Sequence, residues 1–283
     1  MDFRHASEAD IAAEREVFVA ALGELMRRHN FPAPDPPLER FGALQRHLLA
    51  EDGERCFVAE EDGRVVAFCA AVAREDAWFL SALFVHPDVQ ARKVGRRLLE
   101  LCWGTGFARR LTIADSIQPV SNGLYARLGL IPSTPILALE GEARGDVPAG
   151  LEAAEPEAAA LAALDRAAYG FDRALDHRFW SGRSRGTLWL RGGEPVAYSY
   201  AVDAAMIGPI AARHPDDAAD ALRAELAQRE GSHAEVEIPG SARELVAAAL
   251  EAGLRFVAPP GFLLLSPGIE PPRALAISGY WLF

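Results

Sequence analysis

Trp78–Trp103 reads WFLSALFVHPDVQARKVGRRLLELCW. From Trp78 to Val85 every residue but Ser81 is apolar, and His86-Pro87 ends the run. A run of this length stopped by a proline predicts a buried strand of an α/β sheet. Beyond it Val94, Leu98, Leu101 and Cys102 recur at helical spacing, with Arg96, Arg97 and Glu100 between them, which predicts an amphipathic helix. The junction Asp88–Gly95 therefore meets a helix start, where free amides and the helix dipole attract anions. Gly95 leaves room for a phosphate to approach, and Arg92, Lys93, Arg96 and Arg97 supply positive charge. The loop reads as a pyrophosphate cradle. On these residues alone, a solvated basic connection between strand and helix stays open as the alternative.

Length and composition bound the rest. A chain of 283 residues suggests about two domains, and its hydrophobic half is ample for two cores. No apolar run is long enough to span a bilayer, and MDFRHASEAD lacks the basic and apolar regions of a signal peptide. The three cysteines, Cys56, Cys69 and Cys102, lie in apolar segments and read as buried, reduced thiols of a cytoplasmic protein. No Cys/His cluster has zinc spacing, so no metal is expected. A net charge of −11 argues against nucleic acid as a partner and is compatible with an amine substrate.

In chain order, a strand at Phe3–His5 precedes a helix capped by Ser7, with Ile11, Phe18, Val19, Leu22, Leu25 and Met26 inward. The proline-rich loop His29–Pro37 follows, then a helix over Leu38–Leu49. Arg55–Glu60 and Arg64–Val72 flank Glu61-Asp62-Gly63, a hairpin signal. After the organising strand and helix come a strand at Leu111–Ala114 and a helix starting at Pro119 with Val120, Leu124 and Leu128 inward, stopped by Gly129. A strand at Ile136–Leu139 closes the set. The order β-α-α-β-β-β-α-β-α-β-β predicts a mixed sheet with helices on both faces.

Gly141–Gly150 is glycine-rich, charged and aperiodic, a linker. The pattern then repeats. Gly193–Tyr198 parallels Gly63–Phe68, and Ile207–Ile210 with His214-Pro215-Asp216 parallels Leu83–Val85 with His86-Pro87-Asp88. Val236–Ile238 and the helix Ala242–Glu251 before Gly253-Leu254 parallel Leu111–Ala114 and the helix before Gly129-Leu130. The second loop, Ala211–Ala218, has no glycine and carries Asp216 and Asp217, which repel a pyrophosphate.

The stretch V-H-P-D-V-Q-A-R-K-V-G-R-R-L-L resembles the acetyl-CoA loop of the GNAT N-acetyltransferases, with its Gln/Arg-x-x-Gly-x-Gly/Ala pattern. Gln90 and Gly95 match, while Lys93 stands where the family has its first glycine. Leu124-Tyr125-Ala126-Arg127-Leu128-Gly129-Leu130 resembles the family's Leu-Tyr-x-x-x-Gly-Phe. The resemblance implies two tandem GNAT-like α/β domains: residues 1–141, a linker at 142–149, and a degenerate copy at 150–283. It implies an acyltransferase that moves an acetyl group from acetyl-CoA to an amine of a small molecule or peptide by direct attack. Leu83, Phe84 and Val85 would offer backbone groups to pantetheine, and Gln90, Ala91, Arg92, Lys93, Val94, Gly95 and Arg96 would hold the pyrophosphate. Gln118 would touch the cofactor, and Tyr125 would protonate the departing thiolate. Ala249 stands at the tyrosine's place in the second copy. No general base is evident: Asp115 and Asp76 read as solvated loop charges, and His5, His86 and Cys69 lack support. A non-catalytic acyl-CoA-binding or interaction protein is the competing reading.

Overall fold

The computed structural model describes residues 1–202 and 205–283. They form two compact units, Met1–Thr112 and Ile113–Phe283. The first part of the chain gives β1 (Asp2–His5), α1 (Ile11–Arg28), α2 (Leu38–Asp52), β2 (Cys56–Glu61), β3 (Arg64–Arg74), β4 (Ala77–Val85), α3 (Val94–Cys102) and β5 (Arg109–Asp115). There follow α4 (Pro119–Arg127), β6 (Ile131–Glu142), β7 (Leu151–Ala154), α5 (Ala158–Ala168), α6 (Ala174–Ser181), β8 (Ser184–Arg191) and β9 (Glu194–Val202). The chain closes with β10 (Met206–Ala212), α7 (Pro215–Ala227), β11 (His233–Pro239), α8 (Arg243–Glu251), β12 (Arg255–Phe256), β13 (Gly261–Leu265) and β14 (Leu275–Ala276).

In the first unit the strands lie in the order β1-β2-β3-β4-β5, antiparallel except for the parallel pair β4 and β5. The β2–β3 hairpin turns at Asp62 and Gly63, both at positive φ (52° and 76°), as a two-residue turn that matches strand twist requires. Phe68 stacks on Phe84 at 5.5 Å and meets Phe41 edge-on at 6.4 Å, and Phe18 meets Phe84 at 5.0 Å. Burying each ring contributes about 1.5–3 kcal/mol. The next residue on β3, Cys69, points its thiol at the Leu98 carbonyl of α3, 3.5 Å away. Neighbours on a strand face opposite ways, so α1 and α2 cover one side of the sheet and α3 the other. All three cysteines are free and buried, as expected.

Parallel pairing joins Ala77–Leu80 to Arg109–Thr112 and stops there, although β4 runs on to Val85. Beside β3 the register slips between Ala70 and Ala71, leaving Ser81 as the extra residue of a bulge, which bends the strand. His86 donates to the Val66 carbonyl at 2.8 Å. Hydrogen-bonded pairs alternate along antiparallel strands, so the amides of Leu83 and Val85 face away from β3.

In the second unit the order is β13-β6-β11-β10-β9-β8-β7, with β14 beside β10 and β12 beside β6. The parallel strands β10 and β11 are paired only at Met206–Ile207 with Glu235–Val236. Past that point Ile210 and Ala211 pair with β14, and Ile277 donates to the Glu237 carbonyl at 2.9 Å. The gap between these parting strands is therefore filled by the chain itself. Gly208 permits it, since a Cβ there would collide with the Ile277 carbonyl oxygen. Small residues of α7 and α8, Ala218, Ala221, Ala248 and Ala249 among them, share a buried cluster with Ile207, Val236 and Ile238.

Three expectations change. Val120 and Leu128 do not face a core: they are 78 % and 44 % exposed, and α4 buries Tyr125 instead, because a helix this short is oriented by one large ring. The expected strand at Ile136–Leu139 is a single strand running from Ile131 to Glu142, so no second strand follows α4 before the linker. Its pairing with β13 slips at Leu263–Leu264, which accommodates Pro132 and Pro135. Asp115 is not a solvated loop charge but the half-buried last residue of β5, and burial raises its carboxyl above the usual range.

Candidate functional site

The sequence that follows β4 folds into a tight, strained loop. Pro87–Val89 makes a single 3₁₀ turn, and Gln90 then reaches back so that its Nε2 donates to the Val85 carbonyl at 3.1 Å. Ala91 and Lys93 both adopt φ of 64°. A side chain in this left-handed region costs about 1–2 kcal/mol, and the step from left-handed Lys93 into the right-handed start of α3 turns successive N–H groups toward one point, which makes an anion nest. Lys93 is thus held in the conformation that suits the glycine usual at that place.

Lys93 also caps α3, with no side-chain hydrogen bond to the helix. The amides of Val94, Gly95 and Arg96 find no acceptor among the described residues. A Cβ on Gly95 would lie 3.2 Å from Val85 Cγ2, so the missing side chain sets how closely α3 approaches the end of β4. Residues Ala91, Arg92 and Lys93 are exposed, and Leu83, Phe84 and Val85 are half-buried.

The basic residues are largely engaged. Arg92 forms a double hydrogen bond with Glu61, Nη1 to Oε2 at 2.9 Å and Nη2 to Oε1 at 2.5 Å. That guanidinium holds the Glu61 carboxyl below its usual range. Arg96 and Arg97 both approach Glu100, at 3.0 and 3.6 Å. Lys93 makes no ion pair among the described residues. The sequence marks Glu61 only as part of a hairpin turn, and the fold brings it to Arg92 from the end of β2.

The loop belongs to the first unit and α4 to the second. Gln118 is half-buried at the start of α4, with Pro119 in its first turn. Asn122 Nδ2 donates to the Asp115 carbonyl at 3.0 Å, while its Oδ1 is buried without a partner. Tyr125 is 5 % exposed, and its carbonyl accepts from the Leu130 amide at 3.0 Å beyond Gly129, whose φ is 87°. The second copy ends its helix identically: the Leu254 amide donates to the Ala249 carbonyl at 3.0 Å, and Gly253 has φ of 87°. Its other feature is a short connection: two residues separate β10 from α7, which begins at Pro215, where eight separate β4 from α3.

Where the first copy has Phe68, the second has Tyr198 in a buried polar cluster. Tyr198 donates to Asp165 Oδ1 at 2.6 Å, and His177 Nε2 lies 2.9 Å from Asp165 Oδ2 with its Nδ1 3.0 Å from the Tyr200 hydroxyl. Arg173 is fully buried between the rings of Tyr169 and Trp180, 4.0 and 4.5 Å away. Nothing in the spacing of these residues announced them.

Two family models match the chain in tandem. The acetyltransferase (GNAT) family covers residues 19–130, and an acetyltransferase (GNAT) domain covers residues 161–273. The chain belongs to the GNAT acetyltransferases. Solved structures share this tandem fold. A protein from Pyrococcus horikoshii assigned as an acetyltransferase superposes with a TM-score of 0.80 at 18 % identity, over 100 % of this chain and 95 % of that one. A GCN5-related N-acetyltransferase from Sphaerobacter thermophilus gives 0.66 at 16 %, over 96 % and 98 %. A tandem GNAT protein of the clavulanic acid biosynthesis pathway gives 0.59 at 14 %, over 93 % and 97 %. None of the curated proteins matches the chain in sequence. The two matched GNAT regions lie one in each half of the chain. No helix of the described residues is long and apolar enough to cross a membrane.

Proposed function

We propose that the chain is an N-acetyltransferase that uses acetyl-CoA and acetylates an amine of a small molecule or peptide by direct attack. Residues 1–141 would carry the reaction, 142–149 would link, and 150–283 would be the degenerate copy. The observation that carries this reading is the loop after β4, where Ala91 and Lys93 at φ of 64° lead into the uncapped start of α3. Such a nest at a helix start suits a pyrophosphate. The outward amides of Leu83 and Val85 would bond pantetheine beside Phe84, and Gln90–Arg96 would hold the phosphates. Gln118 would touch the cofactor and Tyr125 would protonate the leaving thiolate. The buried free thiols suit a reducing compartment, and the reading places the enzyme in the cytoplasm.

Only one half is expected to bind. The second copy lacks the loop, and β14 fills the gap that pantetheine would enter. Titration calorimetry of the full chain with acetyl-CoA should give about one site, and thiol release should rise with some member of an amine panel. Two equivalent sites, or no heat at all, would refute the reading. A non-catalytic acyl-CoA-binding protein is favoured by the Lys93 side chain in the nest and by Arg92 being tied to Glu61; binding without thiol release across the panel would select it.

A further inference from the structure

The end of β5, the middle of β11 and the segment after β14 bring three titratable side chains together within the second unit. Asp115 closes β5, and its carbonyl accepts from the Gln118 amide at 3.1 Å and from Asn122 Nδ2 at 3.0 Å. Those two bonds fix it against the start of α4. Ser116 donates to the Pro260 carbonyl at 3.2 Å, one residue before β13. In the sheet, Gly261 pairs with Ile136, Ile136 with Pro239, and Ala138 with Glu237. Directly paired residues, and residues two apart on a strand, share one face. Gly261, Ile136, Pro239, Ala138 and Glu237 therefore share a face. The Tyr280 hydroxyl lies on it too, since a Cβ on Gly261 would collide with that oxygen. Val236 and Ile238 point the other way, into the cluster with α7 and α8.

Glu237 has Oε2 buried without a hydrogen-bond partner. The residue as a whole is half-buried, and so is Ala138 beside it, so the face is not closed over them. Burial pushes the Glu237 carboxyl up to about 7, with Glu235 on its own strand and Asp115 on β5 adding to the effect. Tyr280 is pushed above the usual phenol range by burial and then by Glu237 and Asp115, so the three groups act on one another. One row further along the face, Glu140 on β6 pairs with Glu235 on one side and with Arg255 of β12 on the other. In the first copy β4, from Ala77 to Val85, carries no carboxylate at all.

We infer that Glu237 is the general base that takes a proton from the attacking amine, so that the second copy supplies a catalytic group the first copy lacks. The inference rests on the acetyltransferase reading above. An acid and a base in acyl transfer serve the same carbon, and Asp115, beside Glu237, is bonded to the start of the helix that carries Tyr125. As the amine nitrogen bonds to the thioester carbon, one N–H proton passes to the Glu237 carboxylate. The C–S bond then breaks with its electron pair on sulfur, and the thiolate takes the Tyr125 proton. Glu237 releases its proton to solvent and the tyrosinate regains one, which restores the chain. A base poised near neutrality is partly ionised at the working pH and still accepts a proton readily. The carboxylates of Asp115 and Glu235 favour an acceptor that arrives as an ammonium ion.

The full chain is assayed for thiol release from acetyl-CoA with a panel of primary amines, and kcat is followed against pH with the best of them. Glu237→Gln keeps the shape and removes the charge. It should bind acetyl-CoA in calorimetry within about twofold of the parent, because the base acts in the transition state. Its kcat should fall by roughly 10²–10⁴-fold, and the limb of the parent profile that rises through about pH 7 should disappear. Glu237→Asp should restore part of the rate and the limb together. As a check independent of turnover, carbon NMR of the glutamate-labelled chain should show one carboxyl titrating near pH 7 that is missing in Glu237→Gln. If the parent is active and Glu237→Gln turns over within about threefold with the same limb, the base lies elsewhere and the acetyltransferase reading stands. A lowered melting temperature with the limb retained would assign Glu237 to packing. A chain that binds acetyl-CoA yet releases no thiol with any amine would refute acetyl transfer, and the base with it.

Discussion

Arg92 and Glu61 meet through two parallel hydrogen bonds at 2.9 and 2.5 Å. The pair links the loop after β4 to the end of β2 and neutralises a charge that a pyrophosphate would use. Exposed pairs contribute only about 0–1 kcal/mol to stability, so the pair is cheap to break when an anion competes. Glu61→Gln should leave the melting temperature nearly unchanged and tighten acetyl-CoA binding by a few-fold in calorimetry at low salt. Unchanged affinity would mean that Arg92 does not reach the phosphates.

Gly95 sets a contact distance between α3 and the end of β4. A Cβ would sit 3.2 Å from Val85 Cγ2, and overpacking of this kind costs about 1–3 kcal/mol. Gly95→Ala should therefore lower stability in urea unfolding, and the double variant Gly95→Ala/Val85→Ala should recover part of that loss. Full additivity of the two changes would show that the contact is unimportant.

Tyr125→Phe should reduce kcat and leave the acetyl-CoA Kd nearly unchanged, because an acid acting in the transition state contributes little to ground-state binding. A positioned general acid contributes roughly 10²–10⁴-fold. Once an accepting amine is identified, turnover within about threefold of the unsubstituted enzyme would assign Tyr125 to packing alone.

Glu14 is buried on α1, with Oε2 unpartnered, and its carboxyl is pushed up to about 8 by burial and then by Asp10, against Arg4. The folded chain keeps this proton where the unfolded chain has lost it. Stability from this group is therefore full below the unfolded value of 4.5 and falls as pH rises toward 8, by up to about 1.4 kcal/mol per pH unit. Glu14→Gln should flatten that slope, so urea midpoints of the two proteins should converge near pH 4.5 and separate near pH 8, with the variant the more stable. Parallel profiles would place the titration elsewhere.

Gly208→Ala would drive a Cβ into the Ile277 carbonyl oxygen. The segment around β14 should detach, melting should fall, and limited proteolysis should cut within residues 266–283 first. If the variant keeps the parent's cleavage pattern, β14 does not depend on that close approach.

The strand and helix around the loop were legible because burial leaves a simple record: an unbroken apolar run, then apolar residues at helical spacing. The hairpin at Asp62-Gly63 was legible because backbone handedness restricts which residues can turn there. Exchange of partners between distant segments leaves no such record. Glu61 beside Arg92, β14 beside β10, and Arg173 between Tyr169 and Trp180 each depend on residues that local pattern cannot connect. Short α4 misled for a related reason: one buried tyrosine outweighed two aliphatic residues, Val120 and Leu128, in setting its orientation.

Strand β6 runs from Ile131 to Glu142 between β11 and β13, so both flanking strands depend on it for their hydrogen bonds. A gene cut at the glycine-rich stretch 141–150 would strip the downstream piece of that strand and expose two raw edges. A fragment beginning at Leu151 should therefore fold poorly, and a stable second half would have to start upstream of Ile131 so as to bring its central strand with it.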